Sequence, residues 1–300
     1  MLNPEKIRLG IAPIAWTNDD MPELGKDNTF EQCVSEMALA GFSGTELGNK
    51  YPGDPKVLKK ALELRGLQLC NCWFSTYLTT KPFEATAEAF EKQLDFLSAM
   101  GAKVIGCSEQ GRGIQGEQVS IMGSAKPVFT DEEWERFLTG INKLGDMAQS
   151  KGIKCALHHH MGTGIQTPAE IDRFMAGARD NVYLLFDSGH IYFSEGTQEA
   201  VDRLIEKYID RIAHVHLKDV RKAGRKKTVD AGLSFLEAVK EGTFTVPGDG
   251  DVSFDNIFKT LEAHGYEGWM LVEAEQDPAK ANPLEYAIKA RKFINEKTGI

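Results

Sequence analysis

Asp187 and His190 stand three residues apart at the end of an apolar run, in Leu184-Leu185-Phe186-Asp187-Ser188-Gly189-His190. Val182 to Leu185, interrupted only by the amphipathic Tyr183, reads as a buried strand, with Gly189 as the break after it. A carboxylate and an imidazole at or just past the carboxyl end of such a strand sit where a parallel barrel builds its active site. Three similar endings occur elsewhere: Leu157-His158-His159-His160, His214-Val215-His216-Leu217-Lys218-Asp219 and Leu271-Val272-Glu273-Ala274-Glu275. Six of the seven histidines lie in these endings, which chance scatter explains poorly.

The cluster His158, Asp187, His190, His216 and Glu273 contains no thiolate. Mixed imidazole and carboxylate donors suit a divalent ion such as Mn²⁺, Co²⁺ or Zn²⁺ better than a structural thiolate site. Each residue taken alone is as well explained as a satisfied polar group. Five of them on consecutive strand ends are not, because burying so many unpartnered polar groups is costly. Alternation sends His158 and His160 to one face and His159 to the other; it pairs His214 with His216 and Glu273 with Glu275 in the same way. It does not choose which member of a pair binds the ion. Glu46 and Glu109 also end apolar runs, as acid/base or hydroxyl-binding groups or as solvated loop-entry charges. Trp16 and Trp73 could stack on a sugar-like ring at a barrel mouth, or simply pack.

Strand-like runs begin near Ile7, Gly44, Leu67, Lys103, Lys154, Val182, Ile212 and Gly268. Helical patterns lie between them: Thr29 to Ala40 with Asn28 as N-cap and Gly41 as stop, Asp54 to Leu64 with Pro55 first, Phe83 to Met100 ending at Gly101, and Thr130 to Ser150. Strand alternating with helix predicts a single (β/α)₈ barrel over residues 1–300, with an open doubly wound sheet as the alternative. Two long segments, Gln110 to Val128 and Val220 to Ser253, follow strands and read as lid or substrate loops. Arg221 to Lys227 within the second reads as a solvated basic loop.

The chain has 35 basic and 44 acidic residues, a net charge of −9. That balance argues against a nucleic-acid binder, which would show a basic stripe. No run approaches the ~20 apolar residues of a membrane helix, and the first residues lack a signal peptide's pattern. Five cysteines without framework spacing fit a reduced, cytoplasmic setting. Cys70 and Cys72 read as barrel filling. Gly111-Arg112-Gly113-Ile114-Gln115-Gly116 matches a dinucleotide glycine pattern, but no helix opens on it. No Gly-x-Ser-x-Gly elbow supports serine hydrolysis.

Asp187-x-x-His190, His214-x-His216 and Glu273 together resemble the xylose isomerase-like TIM barrel superfamily, over nearly the whole chain. Gly44-Thr45-Glu46-Leu47-Gly48, His158-His159-His160-Met161-Gly162-Thr163 and the segment Gly268 to Asp277 resemble its inosose dehydratase branch more closely. The resemblance implies Asp187, His216 and Glu273 as ligands, with a fifth-strand ligand at His158 or His160, where the epimerases carry glutamate. It further implies His190 as a substrate-facing group and Arg221 as the counterpart of an epimerase arginine. Implied too are 2-keto-myo-inositol (scyllo-inosose) as substrate, its dehydration to a trihydroxycyclohexanedione, Mn²⁺ or Co²⁺ and glutathione as cofactors, and a possible homo-oligomer. His190, His160, Glu46 and Glu275 are the candidates for proton transfer; Glu109, Trp16, Trp73 and Arg221 are those for substrate binding. An isomerase or epimerase on the same site is the alternative.

Overall fold

Strands that are apolar on both faces must be covered by helices outside and by one another inside. The computed structural model describes residues 2–300. The barrel strands are β1 (Ile7–Ile11), β2 (Gly44–Glu46), β3 (Gln68–Asn71, resuming as Trp73–Thr76), β4 (Val104–Glu109), β5 (Lys154–His158), β6 (Val182–Asp187), β7 (Ile212–Leu217) and β8 (Gly268–Val272). All neighbours pair in parallel, and β8 pairs back onto β1. The ring closes through β3 itself. Its first half pairs with β2, its second half pairs with β4, and the Gly106 N–H donates to the Cys72 carbonyl between them.

Local chemistry sets where the surrounding helices begin. Thr29 caps α1 (Phe30–Leu39), so the cap falls one residue beyond Asn28, whose amide donates instead to the Trp16 carbonyl. Asp54 caps α2 (Pro55–Glu63), and Thr130 with Glu133 forms a capping box on α4 (Asp131–Ser150). Between them α3 (Phe83–Met100) ends at Gly101, whose φ of +78° suits a residue without Cβ. Another capping box, Thr167 with Glu170, opens α5 (Pro168–Gly177).

Gly189 is not a break. α6 (Ser188–Glu195) starts directly on the end of β6, and α7 (Gln198–Tyr208) follows. The segment Val220 to Ser253 is likewise more than a loop. It carries α8 (Lys222–Ala231), α9 (Phe235–Lys240) and a two-residue strand pair between Asp219–Val220 and Phe244–Thr245. The basic run therefore lies on a helix. Gln110 to Val128 stays irregular. Its tethers are Ile114 N–H to the Gly162 carbonyl, Ile121 N–H to the Leu233 carbonyl, and Lys126 to Glu170. α10 (Asp255–Ala263) and α11 (Pro283–Thr298) complete the outer layer. Inside the barrel, Cys70 packs with Ala12, Trp269 and Leu271, whereas Cys72 at the break in β3 joins the larger core. Among the described residues no helix is long and apolar enough to cross a membrane.

Candidate metal centre and cavity

Strands β5 to β8 each deliver a donor to one spot at the carboxyl face. His158 Nε2 and His216 Nδ1 each lie 3.5 Å from Asp187 Oδ2, and His216 Nδ1 lies 2.6 Å from Glu273 Oε2. All four residues are buried. His158 Nε2, Asp187 Oδ2 and His216 Nδ1 have no hydrogen-bond partner. Orphaned polar atoms so close together are expensive unless a cation collects them, and imidazole with carboxylate is a donor set that fits a divalent ion. Asp187 Oδ1 points elsewhere: it accepts the His190 N–H at 2.8 Å and so caps α6. Behind the cluster, His159 Nε2 accepts the Asp187 N–H at 3.3 Å.

The charges confirm how tightly these groups are bound to one another. Burial works against a charge on His216, but Glu273 and Asp187 outweigh it and push the imidazole up to about 10. Asp187 is held well below the usual carboxylate range: burial opposes this, and His190, Lys218, His158 and His216 overcome it. His160 is pushed down to about 3 by burial and by His158, so its ring is neutral. Its Nδ1 faces the Met161 carbonyl at 2.8 Å; a carbonyl can only accept, so Nδ1 carries the hydrogen and Nε2 is the free acceptor.

A cavity of about 110 Å³ opens beside the centre. Its lining combines apolar Ala12, Pro13, Ile14, Leu47 and Trp73 with the carboxylates Asp19, Asp20, Glu46, Glu273 and Glu275, and His160 and Gln115 complete it. Trp73 meets the His158 and His160 rings edge-on at 5.4 and 5.3 Å. Glu46 and Glu275 are each raised to about 7, chiefly by burial, with Glu273 adding to both. Glu46 Oε1 accepts from the Asn71 amide at 3.0 Å.

Of the expected site residues, His160, Glu46, Glu275 and Trp73 thus meet at the cavity, and His158, Asp187, His216 and Glu273 meet at the donor cluster. Three others are taken elsewhere, and a fourth, His190, lies at the edge of the donor cluster. Trp16 is fully buried and its indole N–H donates to Glu36 at 2.6 Å, so it packs behind the mouth. Glu109 accepts from Thr76 and Thr79 hydroxyls and from the N–H groups of Leu78, Thr79 and Gly111, which makes it a turn clamp with no free oxygen facing the cavity. Arg221 is held by Asp249, Thr245 and the Gly242 carbonyl within the inserted segment. His190 is buried beside His160, with ring centroids 3.8 Å apart; its Nε2 faces the Lys218 ammonium at 3.0 Å, and a ring nitrogen lies within ligand reach of Asp187 and Glu273.

Lys218 was not an expected site residue. It has no exposed surface and contacts Glu273 and Glu275 at 2.5 and 3.1 Å. Its one signal in the sequence is parity, because 214, 216 and 218 share a face. Asp19, Asp20, Asn71 and Gln115 were missed as well, the two aspartates although they follow an apolar run.

Residues 34–297 match a family model described as xylose isomerase-like TIM barrel. An inosose dehydratase of Glaesserella parasuis serovar 5 (strain SH0165) is 60% identical over 299 residues, covering 100% of both chains. The structure of a probable 3-DHS dehydratase, AsbF of Bacillus anthracis, superposes with a TM-score of 0.71 at 16% identity, covering 96% of this chain and 98% of that one. The IolI protein with a bound zinc atom superposes with a TM-score of 0.69 at 15% identity, covering 98% and 100%. The two structures share the fold.

Proposed function

The chain belongs to the inosose dehydratases of the xylose isomerase-like TIM barrel family, and on that premise we propose how its residues remove water from 2-keto-myo-inositol (scyllo-inosose). The carrying observation is the chain of close contacts through His158, Asp187, His216 and Glu273, with Glu46 converging on the last two, beside a cavity lined by Glu46, Glu275 and His160. Those four donors would hold a divalent ion, Mn²⁺ or Co²⁺, and such an ion supplies Lewis acidity toward a substrate oxygen.

The chain's own groups do the rest. Trp73 gives the ring of the polyol an apolar surface to pack on, and Asp19 and Asp20, which also line the cavity, accept hydroxyl hydrogens. His160, neutral and with Nε2 free, accepts a hydrogen bond from a further hydroxyl. Glu46 or Glu275 takes the proton on the carbon next to the ketone, the C–O bond on the following carbon breaks, and the enol so formed ketonises to the second carbonyl. A proton from the other carboxyl leaves with that oxygen as water. The ring ends lighter by one H₂O, as a trihydroxycyclohexane-1,2-dione. Positioned proton transfers of this kind typically contribute about 10²–10⁴ in rate each. The resemblance alone supports glutathione as an additional requirement, and the five unpaired cysteines suit a reduced, cytoplasmic setting.

Mass spectrometry of scyllo-inosose incubated with Mn²⁺-loaded and metal-stripped protein, with and without glutathione, tests the reading. A product lighter by one water, made only with metal, is expected. A product of unchanged mass but altered retention would replace the dehydratase with an isomerase or epimerase.

A further inference from the structure

Lys218 is a cation with no exposed surface. Its ammonium reaches three side chains at once: Glu273 Oε1 at 2.5 Å, Glu275 Oε2 at 3.1 Å and His190 Nε2 at 3.0 Å. Its main chain is fixed as well. The Lys218 N–H donates to Ser188 Oγ, and the Ser188 hydroxyl donates to the Lys218 carbonyl at 2.8 Å. The aliphatic stem runs against Gly189, where a Cβ would fall 2.3 Å from Lys218 Cγ. A charge buried this deeply and held this firmly is costly unless each contact compensates it.

The two carboxylates it grips have different surroundings. Glu273 Oε2 faces His216 Nδ1, inside the donor cluster. Glu275 belongs to none of the groups whose ligand atoms converge on a cation position, yet it lines the cavity. We propose that Lys218 is the positioning residue that separates these roles. By holding Glu273 Oε1 it leaves that carboxylate one oxygen for the ion, and by holding Glu275 Oε2 it keeps the second carboxylate off the ion and available for proton transfer. The assignment deepens the dehydratase reading and rests on it. It has a consequence that a merely structural lysine lacks. A fixed positive charge beside the centre weakens cation binding, so removing it strengthens metal binding while releasing Glu275 from its working position.

The test titrates metal-stripped wild type, K218M and K218Q with Mn²⁺ alone and then measures turnover of scyllo-inosose at saturating Mn²⁺. Both neutral variants are expected to bind Mn²⁺ about tenfold more tightly and to lose about 100-fold in turnover. Weaker Mn²⁺ binding together with lost turnover would make Lys218 a structural prop and overturn the proposal, as would undiminished turnover. E275Q keeps Lys218 and guards against a folding failure of the other two variants. Its Mn²⁺ affinity is expected to fall by no more than about tenfold, the effect of one removed charge, and a loss of about 100-fold would make Glu275 a ligand and overturn the division. The titrations contain no substrate. A wild type that binds Mn²⁺ but leaves scyllo-inosose unchanged therefore counts against the dehydratase reading alone.

Discussion

Asp187 divides its two carboxylate oxygens between folding and chemistry. Oδ1 caps α6 through the His190 N–H, while Oδ2 lies between His158 and His216 without a hydrogen-bond partner. Asparagine is as good an N-cap as aspartate but a much weaker ligand. Asp187→Asn is therefore expected to keep the fold while losing about 100-fold or more in metal affinity, and turnover with it. Metal content after dialysis and the unfolding temperature of the metal-free protein measure the two parts separately; wild-type metal binding in this variant would remove Asp187 from the ligand set. At this scale the sequence was informative wherever two or more ligand types shared a strand end, as in Asp187-x-x-His190 and His214-x-His216. It was uninformative where a lone residue's role depends on its partners. Glu109 looks like Glu46 in sequence, but only Glu109 is surrounded by five donors. Lys218 looks like any loop-entry lysine until the fold brings two glutamates against it.

Elements position these residues by close approach rather than by length. α6 begins on the last residue of β6, and its second residue is glycine because the Lys218 stem occupies the space a side chain would need. Gly189→Ala is expected to cost about 1–3 kcal/mol through overpacking and to lower turnover by displacing Lys218. Urea unfolding paired with steady-state rates checks this, and an alanine variant with full activity would show that the stem can yield. Asp219, one residue further along, gathers the N–H groups of Val220, Gly248, Gly250 and Val252 at 2.8–3.1 Å, which ties the end of the inserted segment to β7. Asp219→Ala strands those donors at about 1–3 kcal/mol for each one left unsatisfied. It should destabilise the protein more than Gly189→Ala does; a smaller loss in the same unfolding assay would mean that water replaces the carboxylate. The sequence resolved the first four outer helices, whose start or stop signals flank apolar stripes. It hid α8, whose only buried residue is Thr228, because a nearly all-polar helix has no periodicity to detect. It left α9 unread as well, although Ser234 and Glu237 form a capping box at its start.

Across the whole molecule, eight apolar strand runs alternating with helices narrowed the fold to a barrel or an open doubly wound sheet, both of which bury both faces of their strands, and the pairing of β8 with β1 decides for the barrel. Closure through the two halves of β3 was not legible, since nothing in Asn71-Cys72-Trp73 marks a break in pairing. The barrel also makes the metal centre a structural feature. Its four donors come from β5, β6 and β7 and from the residue just after β8, so a bound ion adds a further tie across four consecutive staves. An ion that binds the folded chain and not the unfolded one adds about 2.7 kcal/mol at a concentration 100 times its Kd. For a chain of this size, each kcal/mol raises the unfolding temperature by roughly 2–4 °C. Thermal unfolding of wild type should therefore shift upward by roughly 5–10 °C between chelator and saturating Mn²⁺. E275Q should shift by the same amount, whereas Asp187→Asn should not respond. An equal response in Asp187→Asn would mean that the ion stabilises the protein from some other place, and the barrel-end cluster would lose its claim to be the centre.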